Sequence, residues 1–425
     1  MCGMKATYEK LKMIMAQRSK FMSLFSLYRD RALEIETRNL MTHSRLLSMV
    51  ILILKRVLFV SSSCKEKKTM DEDSVSKETK RIGYEICRDS IGDVWADITE
   101  DEFQITPLSG GLTNYLYICS LPDNVQPPDN QPKSVLLRVY GHIAAEAKIV
   151  LQNSVIFALM SEKQLGPKLY GMTNLARVEE LVPAKTLVTE DIQNPTLSRL
   201  IAQKLSLFHS LNMPLRKEPC FLNDTMDEWM IKVQTILKQK HKNPDEQLMQ
   251  TFREYRLENE LQVLKDILSR VQSPVVFSHN DLQEGNILYN ETVEENKKMV
   301  VIDWEYCSYN YRGYDLGNHF LEWTYNYNYP RHPYFESKPE NYPSREQQYD
   351  FFRAYLQASG ENICDETLQA MYIEANTFAL ASHFFWALWS ILQNSMSDIE
   401  FGFLEYAAVR FEGYFMMKKN LPIKD

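Results

Sequence analysis

The pattern of apolar and polar positions separates a strand-rich stretch from a helix-rich one. In FQITPLSGGLTNYLYICSLP (103–122) two short β-rich runs flank a Ser-Gly-Gly turn, and SVLLRVYG (134–141) supplies a third run after a loop rich in Pro, Asn and Asp. These predict an antiparallel meander. Helical spacing follows from about Ala144 to Lys163, then YG at 170–171, and RVEELVPA (177–184) reads as a last strand entering a hinge that ends at Pro183. From Thr196 the period changes: LSRLIAQKLSLFHSL keeps an apolar stripe at i, i+3 and i+4, and long helical stretches recur at roughly 225–240 and 246–272. The expected fold is α+β, with a small β-rich lobe carrying one helix (81–183) and a larger, mostly helical lobe (184–425).

Ahead of these lobes, residues 1–80 read as a basic, poorly ordered extension. Leu46–Leu54 (LLSMVILIL), followed by Lys55-Arg56 and VLFV, is too short and interrupted to span a membrane and too far from Met1 for an ordinary signal peptide. No clean apolar face persists at helical period, so a membrane-touching amphipathic helix is the less favoured reading. The polar segment 61–80 reads as a linker.

Composition narrows the class further. The 425 residues are 44% hydrophobic and 12% aromatic, enough for a sizeable core in two lobes. Up to Lys68 there are 14 Lys/Arg against 5 Asp/Glu, a net of +9, so the total of −8 leaves −17 on the remainder. That acidity argues against nucleic acid as a partner. Seven cysteines are scattered without a C-x-x-C pair, fitting neither a disulfide framework nor a zinc site and pointing to a reducing cytoplasm.

Chemistry concentrates after Val275. His279-Asn280-Asp281, with Asn286 five residues beyond the aspartate, matches the H-x-D-x-x-x-x-N spacing of a kinase catalytic loop. Asp281 would receive the proton of an acceptor hydroxyl, while Asn286 would coordinate a magnesium ion on the phosphates. VVID then delivers a second carboxylate, Asp303, where kinases place a metal-binding aspartate, so Mg2+ with ATP is the expected cofactor. In the small lobe, Ser109-Gly110-Gly111 suits a hairpin covering phosphates, although a plain β-turn has the same composition. Arg138 occupies the strand position of a kinase's phosphate-binding lysine, or is an ordinary edge-strand arginine.

These stretches, with LGPKLYG (165–171), IDWEYCSYNYRGYDLGNHFLEW (302–323) and SHFFWALWSILQ (382–393), strongly resemble the choline/ethanolamine kinase family, a branch of the aminoglycoside-phosphotransferase-like kinases. The resemblance spans about residue 81 to the C-terminus. It implies a two-lobe protein-kinase-like fold and a cytoplasmic enzyme, often a dimer. Such an enzyme makes phosphocholine from choline and ATP with magnesium, the first step of phosphatidylcholine synthesis. By the same resemblance Gln283 and Arg138 contact phosphate, and Glu180, Leu181 and Val182 form the adenine hinge.

A quaternary ammonium cannot donate a hydrogen bond, so it must be held by aromatic faces and a nearby carboxylate. Tyr306, Glu322, Trp323, Tyr325 and Tyr327 follow Asp303, and Trp386 and Trp389 lie three apart on one helix face. Tryptophans at that spacing also serve plain core packing. The resemblance assigns the choline cage to Tyr306, Glu322, Tyr327, Trp386, Trp389 and Tyr406. One departure stands out: Asn153 replaces the family's usual glutamate in the small-lobe helix, which predicts an Arg138 without its usual partner. The alternatives are ethanolamine as acceptor, an aminoglycoside-type acceptor with an open acidic site, and a feebly active or dead kinase-fold scaffold. Intact Asp281, Asn286 and Asp303 argue against the scaffold.

Overall fold

A computed structural model describes residues 75–108, 114–140, 147–173, 176–239, 245–294, 297–397 and 399–421. The expectations for residues 1–74 and for Ser109-Gly110-Gly111 lie outside the described residues. Two compact units result, one holding the described residues up to Leu151 with Leu169–Glu179, the other Gln152–Lys168 and everything from Glu180 onward.

The smaller unit opens with helix α1 (Lys77–Ile91), so the predicted linker already contains the first turn of a helix. The Ser76 hydroxyl accepts from the Thr79 backbone amide at 3.0 Å and caps that turn. A short α2 (Val94–Asp97) precedes β1 (Gln104–Leu108), β2 (Asn114–Ser120) and β3 (Ser134–Tyr140). These three pair antiparallel as the predicted meander. Helix α3 (Ala147–Glu162) leads to β4 (Leu169–Met172) and β5 (Ala176–Glu180), and the sheet order is β1-β2-β3-β5-β4. The strand β4 has no clear counterpart in the sequence pattern; its pairing with β5 is offset by a bulge between Leu169 and Gly171.

Alternation along β3 and β5 gives this sheet two unlike faces. Val135, Leu137, Ala176 and Val178 join Cys87, Trp95 and Phe103 in an apolar core. Arg138, Arg177 and Glu179 are buried too, at 4%, 6% and 3% exposure, at the alternate positions. Because β3 is central, Arg138 is not an edge-strand residue.

Helix α3, expected to belong wholly to the small lobe, is instead divided between the units at Gln152. Phe157 packs on Trp304 with ring centroids 5.2 Å apart, and a Cβ on Gly166 would lie 2.0 Å from the Trp304 ring. These contacts tie residues 152–168 to the larger unit.

That unit continues through β6 (Lys185–Thr186), α4 (Thr189–Gln193) and α5 (Pro195–His209), the last capped by Asn194 and started by proline at its first position. The predicted helix at 225–240 is α6 (Phe221–Leu237), and the one at 246–272 is two, α7 (Asp245–Glu254) and α8 (Leu257–Ser269). Arg256, with φ of 50°, breaks them in the left-handed region. Strands β7 (Val275–Ser278), β8 (Ile287–Tyr289), β9 (Met299–Val301) and β10 (Ser308–Tyr311) form two small antiparallel ladders, β10-β7 and β6-β8-β9. Helix α9 (Arg312–Glu322), the small hairpin β11 (Tyr325–Asn326) and β12 (Glu336–Ser337), α10 (Arg345–Ser359), α11 (Asp365–Met396) and α12 (Phe403–Lys419) complete it. Every residue of α9 is buried, and a Cβ on Gly317 would lie 2.5 Å from the Ala375 carbonyl of α11, so glycine permits this close crossing. Among the described residues no helix is long and apolar enough to cross a membrane.

Candidate active site

The loop from β7 to β8 carries His279, Asp281, Gln283 and Asn286, and its shape is fixed from beneath by α9. Asp315 of α9 accepts the backbone amides of His279 at 2.7 Å and Asn280 at 2.6 Å. His209 supports it at 3.0 Å and is itself 2.9 Å from the Tyr355 hydroxyl. Burial would raise the Asp315 pKa, but the His209 bond, the nearby His279 ring and the loop amide outweigh it and hold the carboxyl below its ordinary value. Asn280 sits at φ of 67°, its amide bonded to the Tyr306 carbonyl and the Ser308 hydroxyl, both at 2.8 Å. Such a left-handed asparagine costs about 1–3 kcal/mol and persists because neighbours over-determine it.

Asn286 donates from Nδ2 to the Asp281 carbonyl at 2.8 Å and to Asp281 Oδ2 at 3.0 Å, which turns its amide oxygen into the group left for a cation. The Ile302 amide bonds the Asn286 carbonyl at 2.9 Å, and His279 Nε2 donates to the Ile302 carbonyl at 3.0 Å. These bonds stitch the segment carrying Asp303, itself at φ of 64°, to the loop. Burial lowers the His279 pKa, consistent with a neutral ring making that bond. Gln283 Oε1 accepts from the Gly285 amide at 2.6 Å, capping the 3-10 turn Glu284–Asn286. A Cβ on Gly285 would lie 2.9 Å from the Gln283 amide, so a larger residue there would push the capping side chain aside.

Asp281, Asn286 and the Asp303 segment are thus together, and the acidic surroundings are strong. Burial first, then Glu322, Asp303 and Glu305, raise the Asp281 pKa well above the ordinary carboxylate range. Glu284, which sequence reasoning passed over as a site residue, is buried beside the Thr189 hydroxyl at 3.0 Å, and burial with Glu322 pushes it up to about 8.

The six residues that the resemblance assigns to a cage fall into two linked groups, Tyr306 with Trp386 and Trp389, and Glu322 with Tyr327 and Tyr406. Tyr306 meets Trp386 at 5.3 Å between centroids, Trp386 meets Trp389 at 5.5 Å, and Trp389 continues through Phe403 and Phe401 to Tyr406. Tyr327 Oη donates to Glu322 Oε2 at 2.7 Å and lies 2.7 Å from the Tyr406 hydroxyl. Trp386 is buried with Nε1 bonded to Asn318 Oδ1 at 2.8 Å, whereas Trp389 is only half-buried. Sequence reasoning missed Arg410, whose Nη2 reaches Glu322 Oε1 at 2.6 Å; its signal was the i, i+4 spacing from Tyr406 on α12.

In the smaller unit Arg138 is not left without a carboxylate, as Asn153 led us to expect: Glu179 Oε1 lies 3.6 Å from its Nη2, and Glu179 Oε2 is 2.5 Å from Arg177 Nε. The partner comes from the neighbouring strand β5 in place of the helix. At the end of β5, Glu180 exchanges bonds with Lys168, its amide donating at 2.8 Å and its Oε2 accepting at 3.0 Å. Leu181 and Val182 follow half-exposed, and Asn290 holds the Pro183 carbonyl at 2.7 Å.

A strand-rich unit, a helical unit and an H-x-D-x-x-x-x-N loop followed by an aspartate two residues beyond β9 define a phosphotransferase of the protein-kinase-like class. The family model of choline/ethanolamine kinases matches residues 105–415, and the chain belongs to that family. A human choline/ethanolamine kinase is 42% identical over 356 residues, 82% of this chain and 88% of that protein. Mouse choline kinase alpha is 41% identical over 382 residues, covering 83% of each. Among solved structures, a choline kinase from Cryptosporidium parvum aligns with a TM-score of 0.67 at 27% identity, over 80% of this chain and 96% of that one.

Proposed function

We propose that this protein transfers the γ-phosphoryl group of ATP to the hydroxyl of choline, with Asp281 as the catalytic base. What supports the reading is that Asn280, next to Asp281, holds the Tyr306 carbonyl at 2.8 Å and that Glu322 is among the charges that raise the Asp281 pKa, so the proposed base lies beside an aromatic group containing a carboxylate. A choline trimethylammonium in that group would be met by ring faces, and its hydroxyl would extend toward Asp281.

The donor set fits magnesium, since the Asn286 amide oxygen and the Asp303 carboxylate are hard oxygen ligands of the kind Mg2+ takes alongside substrate phosphates. When bound, the ion would screen the phosphate charge and offset the acidic crowding that raises Asp281. The chain's own contribution is positional. Asp315 holds the loop, Asn286 orients Asp281, and Asp281 takes the acceptor proton as the phosphoryl group arrives. Gln283, whose amide oxygen caps the loop, keeps its NH2 for phosphate. Arg138 supplies a fixed cation, Ser109, Gly110 and Gly111 a phosphate cover, and Glu180 to Val182 the adenine edge. The five free cysteines among the described residues suit a reducing cytoplasm.

Ethanolamine is the second acceptor to test, because Glu322 offers a carboxylate to a primary ammonium. Turnover of ATP with each amine side by side decides the matter. Choline-dependent ADP formation exceeding that with ethanolamine supports the proposal, and turnover with neither removes it.

A further inference from the structure

The acidic member of the aromatic group is not a free carboxylate. Arg410 is fully buried, and its Nη2 donates to Glu322 Oε1 at 2.6 Å and also to the Tyr406 hydroxyl. Tyr327 donates its one proton to Glu322 Oε2, so Tyr406 donates to Tyr327 across their 2.7 Å contact. The result is a closed ring of donors in which each Glu322 oxygen already holds one bond.

The arrangement is not what stability alone would choose. Arg410 Nε and Nη1 are buried without hydrogen-bond partners, a costly state for a cation, while its guanidinium lies 4.0 Å over the Tyr325 ring and 4.9 Å from that of Tyr406. Burial opposes its charge, but the surrounding tyrosines and Glu322 more than compensate. Arg410 is thus a built-in cation seated at the aromatic group.

We infer that Arg410 is a specificity-determining positioning residue that biases the acceptor site toward a fully methylated ammonium. The inference rests on the acceptor-site reading given under the proposed function. A quaternary ammonium needs only negative potential and ring faces, which the tethered pair and the tyrosines still provide. A primary ammonium brings three N–H donors and needs acceptors, and each Glu322 oxygen has already given one of its two lone-pair sites to Arg410 or Tyr327. Arg410 therefore penalises the primary amine more than the quaternary one. This is discrimination through a preoccupied acceptor.

The experiment uses the full chain with R410M, R410K, R410M/E322Q and W389L, measuring kcat/KM for choline and ethanolamine, KM for ATP and the melting temperature. R410M releases one strong charge-assisted acceptor to ethanolamine, so the choline-to-ethanolamine ratio of kcat/KM falls about tenfold while the ATP constant stays put. R410K keeps the buried charge but not the planar fork, and moves the ratio the same way by roughly threefold, which serves where R410M does not fold. Adding E322Q to R410M returns the ratio toward wild type, because the released acceptor is gone. A merely structural arginine would instead lower both amines in parallel. A ratio within about twofold of wild type in R410K and in folded R410M overturns the inference. W389L separates the two readings: if it raises the choline constant while the Arg410 variants leave the ratio unmoved, only this inference falls, and if it leaves the choline constant unmoved, the acceptor-site reading falls with it.

Discussion

The Asp315 carboxylate accepts the backbone amide of Asn280 at 2.6 Å, although the two residues lie 35 positions apart. With the parallel bond to His279, it suspends the left-handed turn that aims Asp281. Asp315→Asn keeps one acceptor and loses the other, leaving a buried amide unpaired. We expect kcat to fall by about 100-fold through misplacement of the loop, with a small change in the ATP KM. A normal kcat would show that the turn holds itself.

Asp281→Ala should cost about 100- to 10,000-fold in kcat while nucleotide binding persists, because the group acts on the acceptor hydroxyl. Asn286→Ala should do two things, since its amide both orients Asp281 and is assigned to magnesium. The kcat falls, and the magnesium concentration for half-maximal rate rises, with partial rescue by excess metal. Titrating magnesium against both variants checks the assignment, and an unchanged metal dependence in Asn286→Ala removes it.

Local features were legible in the sequence and long-range ones were not. The meander and the H-x-D-x-x-x-x-N loop are each written within a few residues of one another, so period and spacing reveal them. Helix α1 was partly hidden because its charged, aromatic-poor start resembles a linker, and only the capping Ser76 and the Ile82/Ile86 spacing mark it. The central place of β3 and the pairing of Arg138 with Glu179 depend on strand order, which no local pattern encodes. Arg410 lies 88 positions from Glu322, and only the fold brings them together.

Three buried histidines make the fold acid-sensitive. Burial lowers the pKa of His279 and His383, and it brings His319 to about 4, each below the ordinary value near 6.5. Neutral in the fold, they protonate more readily once unfolded, so their contribution is fully present above about pH 6.5 and is lost as pH falls toward 4. His319 alone should cost about 2 kcal/mol between pH 7 and pH 5. His319→Gln keeps a donor for the Leu282 carbonyl, bonded at 3.0 Å, without the titration. Its urea midpoint should therefore drop less over that range than the wild-type midpoint, and identical drops would reject the assignment.

The two tryptophans of α11 should respond differently to the same substitution. Trp389 is half-buried within the ring series, while Trp386 is buried and anchored through Asn318, which also accepts from Ser382 at 2.7 Å. Replacing Trp389 with Leu removes a ring face and little core volume. If that face meets a quaternary ammonium, the choline KM rises roughly 5- to 30-fold, the equivalent of about 1–2 kcal/mol, while the ATP KM and melting temperature barely move. Trp386→Leu should raise the choline constant as well, but it also leaves Asn318 short of a donor and opens a cavity, so its melting temperature falls by several degrees. A Trp389→Leu enzyme with an unchanged choline constant and a depressed melting temperature would assign both rings to packing, and the acceptor site would then have to be sought elsewhere around Asp281.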